Sequence, residues 1–324
     1  MSTAIAADLG TIKSEWSRKL LPVGFVASSA THAAQDNVVG VGIGRKIVNG
    51  RATNDVTLKF LVRRKLTKGL LSNAEVLPSN IDGIDTDVEE IGSIVKHSVM
   101  NEALPNPRLR LRPAQLGCSI GFPHDSLKMA GTLGAIVSNG QRRFVLSNNH
   151  VLADENRLPL GRQTLQPGSL DGGVLADAIG ALVKFEPLRD DALNRMDAAL
   201  SSIDDDATVH PSSLHLGEVP GTADAVLDLP VHKFGRTTGL TTGKVTSVST
   251  DVKVVYDSGV FVFEEQILIR ADAGPFSAPG DSGSLILSRE GNEAVGLLFA
   301  GSASVTVANH LGPVLDRFGI FLVS

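Results

Sequence analysis

Residues 280–288 read Gly-Asp-Ser-Gly-Ser-Leu-Ile-Leu-Ser. Gly280 and Gly283 can adopt backbone conformations that a Cβ disfavours, so this stretch predicts a tight turn. The apolar run that follows is typical of a buried strand. The stretch therefore predicts β-structure in which a glycine-rich turn holds Ser282 at the start of a strand.

The same texture continues on both sides of this stretch. From residue 113 onward, short apolar runs are separated by Gly, Asn and Asp, as in an antiparallel sandwich or barrel. The clearest hairpin joins residues 131–138 to residues 143–147 through Asn139-Gly140, a pair that tolerates positive φ. Further strands are predicted at residues 178–185, 197–203, 231–234, 244–256, 260–270, 284–288 and 294–300, with a closing helix at 314–321. This count favours a mainly β chain with two six-stranded antiparallel β-barrels over one sandwich.

The N-terminal third predicts a different kind of structure, with a helix as well as strands. Residues 38–48 and 56–62 are typical of strands joined by a hairpin turn at Asn49-Gly50, and residues 88–95 predict another strand. Scattered apolar residues before them are compatible with a helix. We therefore expect a small N-terminal α/β domain at residues 1–112, a first barrel at 113–207 and a second at 208–324.

Composition and charge narrow the classes of partner. The net charge of −5 and pI of 5.9 do not suggest a nucleic-acid-binding surface. No apolar run approaches the roughly 18 to 20 residues needed to cross a membrane. Cys118 is the single cysteine, so no internal disulfide can form, and the N-terminus does not read as a secretory signal. These features predict a cytoplasmic protein.

The residues needed for acyl transfer are present. A serine hydroxyl is a weak nucleophile unless an imidazole takes its proton and a carboxylate orients that imidazole. His150 follows an apolar strand, and Asp197 directly precedes the apolar run 198–200. The glycine-rich turn can also point the N–H groups of Gly280 and Ser282 toward a developing negative charge.

These motifs resemble those of trypsin-like serine peptidases. His150 stands in Asn-His-Val, Asp197 in Asp-Ala-Ala-Leu and Ser282 in Gly-Asp-Ser-Gly, in the order His, Asp, Ser that the chymotrypsin-like fold uses. Residues 235–241, Gly-Arg-Thr-Thr-Gly-Leu-Thr, are similar to bacterial intracellular members and to the narrow-leaf trypsin-like proteins of plants. The resemblance covers about residues 113–312.

The resemblance implies an activity and a site. It implies an intracellular serine endopeptidase that cleaves a protein or peptide substrate through an acyl-enzyme, with no cofactor and no metal. Catalysis would lie with His150, Asp197 and Ser282, in a cleft between the barrels. Residues corresponding to the substrate pocket are Phe276, Phe299, Ala300 and Gly301. Trypsin-like enzymes that cut after Lys or Arg carry Asp where this chain has Phe276, so basic specificity is not expected.

Two other functions stay open at this level. A catalytically silent barrel that binds a peptide or partner would carry the same residue types, and an esterase would use the same triad. The role of the N-terminal domain is also open among gating the cleft, recruiting substrate and driving assembly into an oligomer.

Several motifs have simpler interpretations. Asp257-Ser258-Gly259 lies between two predicted strands and is interpreted as a hairpin turn. Residues 46–50 resemble the site at which trypsin-like zymogens are cleaved to free a new N-terminal amine. In those zymogens the amine pairs with the Asp before the catalytic serine, which here is Asp281. Residues 46–50 lie too far from His150 for this activation, which leaves the role of Asp281 open. Arg236 either contacts substrate or has a structural role, and the structural role is favoured. The acidic clusters at residues 82–87 and 204–206 lack the spacing of a calcium loop.

Overall fold

A computed structural model of the chain describes residues 3–23, 37–48, 51–66, 71, 76–94, 106–124 and 128–324. The N-terminal elements are α1 (Thr3–Leu20), β1 (Val38–Val48), β2 (Arg51–Val62), β3 (Asn80–Ile81) and β4 (Ile84–Glu90). The central elements are β5 (Ala114–Leu116), β6 (Ser119–Ile120), β7 (Gly131–Thr132), β8 (Ala135–Ser138), β9 (Arg143–Ser147), α2 (Asn149–Leu152), β10 (Gln163–Leu165), β11 (Ala178–Phe185), β12 (Ala199–Ser202) and β13 (Val209–Ser213). The C-terminal elements are β14 (Pro230–Gly235), β15 (Gly239–Val255), β16 (Val260–Ala271), β17 (Leu285–Ser288), β18 (Ala294–Gly301), β19 (Thr306–His310), α3 (Leu311–Phe318) and β20 (Phe321–Leu322). The prediction of a mainly β chain is confirmed.

The larger sheet has ten strands in the order β14-β17-β18-β19-β16-β15-β1-β2-β4-β3. An additional β14–β15 pairing joins six of these strands, from β14 to β15, into a ring. The 17 residues of β15 make this possible, because its first part pairs with β14 and its later part with β1. The strands of residues 38–90 therefore continue the same sheet as the C-terminal strands.

The smaller sheet has six strands in the order β10-β11-β12-β9-β8-β20. It packs around a core that includes Ile136, Val145, Leu182 and Leu200, and that extends to Leu285 of β17. The predicted hairpin at Asn139-Gly140 is confirmed, since β8 pairs with β9 from Ala135 to Ser138.

The expectation of two closed six-stranded barrels is wrong. In the described part of the chain the smaller sheet is open, and β5–β13 and β6–β7 pair separately from it. The predicted strand at residues 131–138 is divided into β7 and β8, because the chain at Gly134 passes so close to Gly283 that a Cβ would lie 2.4 Å from its carbonyl oxygen. The two-residue strand β7 then pairs only with β6 and cannot complete a ring.

Other predicted elements differ in smaller ways. The closing helix begins and ends earlier than predicted, because Gly319 terminates α3 with a left-handed φ of 68° and β20 follows. The turn at Asn49-Gly50 and residue 95 lie outside the described residues, although β1 and β2 do pair antiparallel. The domain boundaries at residues 112 and 207 stay predictions. None of the described helices is long and apolar enough to span a membrane.

Candidate active site

His150 lies in the one-turn helix α2, directly after β9. The first N–H groups of a helix have no partner within the helix. Here the carboxylate of Asp197 accepts two of them through Oδ1, from Asn149 at 2.6 Å and from His150 at 3.3 Å. The acid therefore fixes the backbone that carries the imidazole as well as the imidazole itself.

The backbone of Asp197 is fixed in turn by two asparagines. Its N–H donates to Asn309 Oδ1 at 3.1 Å, and its carbonyl accepts from Asn309 Nδ2 at 3.0 Å and from Asn148 Nδ2 at 2.7 Å. Asp197 is fully buried. Since Asn309 belongs to β19 of the larger sheet, these bonds tie the two sheets together at the acid.

The two ring nitrogens of His150 have different surroundings. Nδ1 lies 2.5 Å from Asp197 Oδ2. Nε2 is buried and has no hydrogen-bond partner among the described residues. With the proton on Nδ1, held by the carboxylate, the lone pair of Nε2 is available to accept another proton. A buried polar atom left without a partner is uncommon and often marks a chemical role.

The turn that carries Ser282 lies against the segment that carries His150. Thr132 N donates to the Ser282 carbonyl at 2.8 Å, and a Cβ on Gly283 would lie 2.2 Å from Ser147 Oγ, at the end of β9. A Cβ on Gly131 would lie 2.5 Å from the side chain of Val151 and 3.0 Å from the Ser282 carbonyl. Gly131 therefore lies between the serine turn and the residue that follows His150, close to both.

The Ser282 hydroxyl points to a different acceptor from the one expected. Ser282 Oγ donates to the carbonyl of Phe299 at 3.2 Å, and no hydrogen bond joins it to His150 in the described structure. Both side chains are shielded, with relative exposures of 1% for Ser282 and 3% for His150. The structure thus joins His150 to Asp197 and packs the turn of Ser282 against the segment before His150, without a Ser–His bond among the described residues.

The N–H groups predicted for an oxyanion hole differ from their neighbours in hydrogen bonding. Within the described residues, neither Gly280 N nor Ser282 N has an acceptor, whereas Asp281 N and Gly283 N donate to carbonyls at 3.0 and 2.8 Å. Gly280 has a φ of 94°, and a Cβ there would lie 2.4 Å from Thr237 Oγ1. Glycine is required at this position for both reasons.

Asp281 is held entirely by internal partners, which answers the question that the sequence left open. Its buried carboxylate accepts from Thr237 N at 2.8 Å, Thr238 N at 3.1 Å and Ala278 N at 2.9 Å. Lys233 Nζ, also fully buried, lies 3.5 Å away. Burial lowers the pKa of Lys233, and the charge of Asp281 opposes that shift. Asp281 therefore fixes the serine turn without a new N-terminal amine.

Arg236 has a structural position. Its buried guanidinium makes a bidentate ion pair with the carboxylate of Asp171, with hydrogen bonds of 2.8 and 2.5 Å. Its Nη1 lies against Gly280, where a Cβ would be only 2.8 Å away. Arg236 thus forms part of the wall that shapes the turn.

The residues predicted to bind substrate are all buried. Phe276 packs with apolar side chains of β16 to β18, including Ile286, while Phe299 and Ala300 belong to a separate apolar group with Phe263. Gly301 is buried at the end of β18. In the described part of the chain, these four residues therefore do not line one pocket open to solvent.

Sequence reasoning missed Tyr256. Its hydroxyl donates to Asp197 Oδ2 at 2.7 Å, the same oxygen that contacts His150. Tyr256 is the single tyrosine of the chain and follows β15. No motif or spacing relates it to Asp197, because the contact depends on where the β15–β16 hairpin ends in space.

Two comparisons of sequence confirm the resemblance to the narrow-leaf trypsin-like proteins of plants. The family model described as the Nal1 C-terminal domain matches residues 168–309. Protein NARROW LEAF 1 of Oryza sativa subsp. japonica is 26% identical over 311 residues, covering 82% of this chain and 51% of the rice protein. The chain thus spans about half the length of this curated relative.

Solved structures of bacterial serine proteases are also similar to the chain. Protease A of Thermobifida fusca is 21% identical, with a TM-score of 0.47, and the match covers 64% of this chain and 97% of that protein. Nocardiopsis protease is 18% identical, with a TM-score of 0.47, over 65% of this chain and 100% of that protein.

Proposed function

We propose that the chain is a chymotrypsin-like serine endopeptidase that acts in the cytoplasm on a protein or peptide substrate. The observation that carries this proposal is the state of His150. Its Nδ1 is bonded to a buried carboxylate, its Nε2 has no partner among the described residues, and the segment that carries it lies against the turn of Ser282. This is the arrangement that a general base for a serine nucleophile needs.

The mechanism assigns one role to each group. Ser282 Oγ attacks the substrate carbonyl carbon while His150 Nε2 takes the hydroxyl proton, and Asp197 holds Nδ1–H and stabilises the resulting imidazolium. The N–H groups of Gly280 and Ser282 donate to the oxyanion of the tetrahedral intermediate. His150 then gives the proton to the departing amine, and water, activated in the same way, hydrolyses the acyl-enzyme. This scheme uses no cofactor.

The position of the Ser282 hydroxyl supports a second candidate. Its bond to the Phe299 carbonyl and its burial mean that attack requires the hydroxyl to turn toward His150 and the site to admit a substrate. A catalytically silent protein that binds a peptide or partner would not need either change. The match covers only 51% of the rice protein, so it supports the peptidase and the silent binding protein equally.

Specificity for Lys or Arg is not part of the proposal. The Phe276 ring is buried among apolar side chains at the position where such enzymes carry an aspartate. A cationic side chain there would lose its hydration without gaining a carboxylate partner.

A fluorophosphonate probe distinguishes the two candidates. Attack by Ser282 forms an O–P bond, breaks the P–F bond and releases fluoride, while the hydroxyl proton passes to His150. We expect one label per folded chain, mapped to Ser282 by peptide mass spectrometry and abolished in Ser282→Ala. Ser258→Ala is the matched control, because it alters the other Asp-Ser-Gly turn, and it should label like the natural chain. An unlabelled folded chain would favour the silent binding protein.

Peptidase and esterase activity are separated by substrate. Digestion of a peptide library by the labelling-competent chain should release new peptide termini that Ser282→Ala does not produce. Hydrolysis of simple esters without any peptide cleavage would instead indicate an esterase.

A further inference from the structure

Tyr256 occupies an unusual position relative to the predicted catalytic residues. It stands at the tip of the hairpin formed by β15 and β16, where its N–H donates to the Gly259 carbonyl at 2.8 Å. This hairpin belongs to the larger sheet, whereas His150 and Asp197 adjoin strands of the smaller sheet. The hairpin therefore delivers one side chain across the boundary between the two sheets.

The tyrosine contacts both members of the His–Asp pair. Its hydroxyl donates to Asp197 Oδ2 at 2.7 Å, and its ring meets the His150 ring edge to face at a centroid distance of 5.6 Å. With the N–H groups on Oδ1, the two carboxylate oxygens have four contacts. Each carboxylate oxygen of Asp197 thus has two contacts, and the Tyr256 hydroxyl shares Oδ2 with the imidazole of His150.

The hairpin tip is anchored to the segment that follows His150. Glu155 lies three residues after α2, is buried, and has a left-handed φ of 56°. Its carboxylate accepts from Ser258 N at 2.7 Å and from Asp257 N at 3.3 Å. This anchor keeps the tip of the hairpin, and with it Tyr256, in register with His150.

The tyrosine is a stable donor at neutral pH. Burial, reinforced by the adjacent Asp197 carboxylate, raises the pKa of Tyr256 well above its ordinary value. Phe261 packs edge to face on its ring at 5.3 Å, and Phe263 stacks at 6.0 Å. The hydroxyl therefore stays protonated, and the ring that carries it is held by the surrounding rings.

We propose that Tyr256 is a positioning residue for the triad, acting through Asp197; this inference rests on the proposed function. Its hydroxyl holds the carboxylate in the orientation that meets His150 Nδ1 and takes a share of the charge on Oδ2. Removing the hydroxyl has two consequences. The carboxylate loses a restraint, so catalysis slows, and its undivided charge favours protonated His150 more strongly.

The titratable and charged groups around His150 come from several elements. They are Asp197 before β12, Tyr256 and Asp257 of the hairpin, Asp154 and Glu155 after α2 with their ion-pair partner Arg157, and Asp281 of the serine turn, which is paired with Lys233. Tyr256→Phe changes only one of them, so a shift in that variant is assigned to the hydroxyl.

The test compares Tyr256→Phe with Phe261→Leu in the full chain, using the rate of fluorophosphonate labelling as a function of pH. In Tyr256→Phe we expect labelling at neutral pH to slow by roughly ten- to hundredfold, the loss of one hydrogen bond to a charged group. The acid limb should move to higher pH by roughly half to one unit. Phe261→Leu removes packing from the same ring and should leave the acid limb unchanged.

A second measurement does not depend on activity. The proton resonance of His150 Nδ1–H reports its bond to Asp197 and should move in Tyr256→Phe but not in Phe261→Leu. If the natural chain takes no label, the proposed function fails while this resonance still decides the role of Tyr256. An unchanged acid limb and resonance in Tyr256→Phe, or equal changes in both variants, would overturn the inference.

Discussion

The chain carries Asp-Ser-Gly twice, at residues 257–259 and 281–283, and the two copies have opposite surroundings. In the first copy Asp257 and Ser258 are exposed at a hairpin tip. In the second, Asp281 and Ser282 are buried, and the aspartate accepts hydrogen bonds from Thr237, Thr238 and Ala278. The tripeptide alone therefore carries little information, and the groups that surround it decide what its serine can do.

Replacing the two aspartates should separate the copies most strongly. Asp281→Ala leaves Lys233 buried without its carboxylate, and breaking a buried pair costs about 3–5 kcal/mol of the free energy of unfolding. Asp257→Ala, at an exposed position, should stay within about 0.5 kcal/mol. Urea denaturation of both variants measures the difference. Equal losses in the two variants would mean that Asp281 does not fix the serine turn.

Replacing the glycine of each Asp-Ser-Gly copy by alanine should give a smaller difference in stability between the two copies. Both have positive φ, 153° for Gly259 and 93° for Gly283, so alanine is strained at either position. Only at Gly283 would the new Cβ also meet neighbours, at 2.2 Å from Thr132 O and Ser147 Oγ, whereas Gly259 faces open space. Gly283→Ala should therefore destabilise by about 1–3 kcal/mol more than Gly259→Ala. Matching melting temperatures would contradict the tight packing at Gly283.

Local pattern was enough to predict much of this comparison. The hairpin at residues 257–259 is confirmed by the Val255–Val260 pairing, since alternating strands and a turn signal lie close together in sequence. The turn at Gly280 and Gly283 follows from their freedom at positive φ. The juxtaposition of His150 and Asp197 followed from the family resemblance, because 47 residues separate them and no local rule joins them.

The pairing of strands that lie far apart in the sequence could not be predicted from local sequence pattern. The continuation of the larger sheet depends on β15 meeting β1, which lies about two hundred residues earlier, and neither strand carries a signal for the other. The burial of Phe276, Phe299 and Ala300 in two separate groups has the same origin. Tyr256 was missed because only the three-dimensional fold brings it to Asp197.

Tyr256 also provides a direct optical test of the hairpin's position. As the single tyrosine, it alone produces tyrosinate absorbance on alkaline titration. In the unfolded chain it should ionise near its ordinary value of about 10, whereas burial beside Asp197 raises its pKa in the folded chain. Its contribution to stability is thus complete below pH ~10 and lost as the pH rises through the folded pKa. Tyr256→Phe should lose less stability at alkaline pH than the natural chain. Tyrosinate appearing near pH ~10 while the protein remains folded would place Tyr256 in solvent instead.

The smallest expected effect concerns Glu155, which anchors the first Asp-Ser-Gly copy to the segment that follows His150. Glu155 accepts the Ser258 N–H at 2.7 Å, and Glu155→Gln replaces a charged acceptor by a neutral one. Charged hydrogen bonds exceed neutral ones by about 1 kcal/mol, so the Ser258 amide should exchange its hydrogen roughly fivefold faster. Glu290→Gln, an exposed substitution in another turn, is the matched control and should leave that exchange rate unchanged. If Glu155→Gln also left it unchanged, the tip would be held by the strand pairing of β15 and β16 alone, and the exposed Asp-Ser-Gly would be independent of the segment that carries His150.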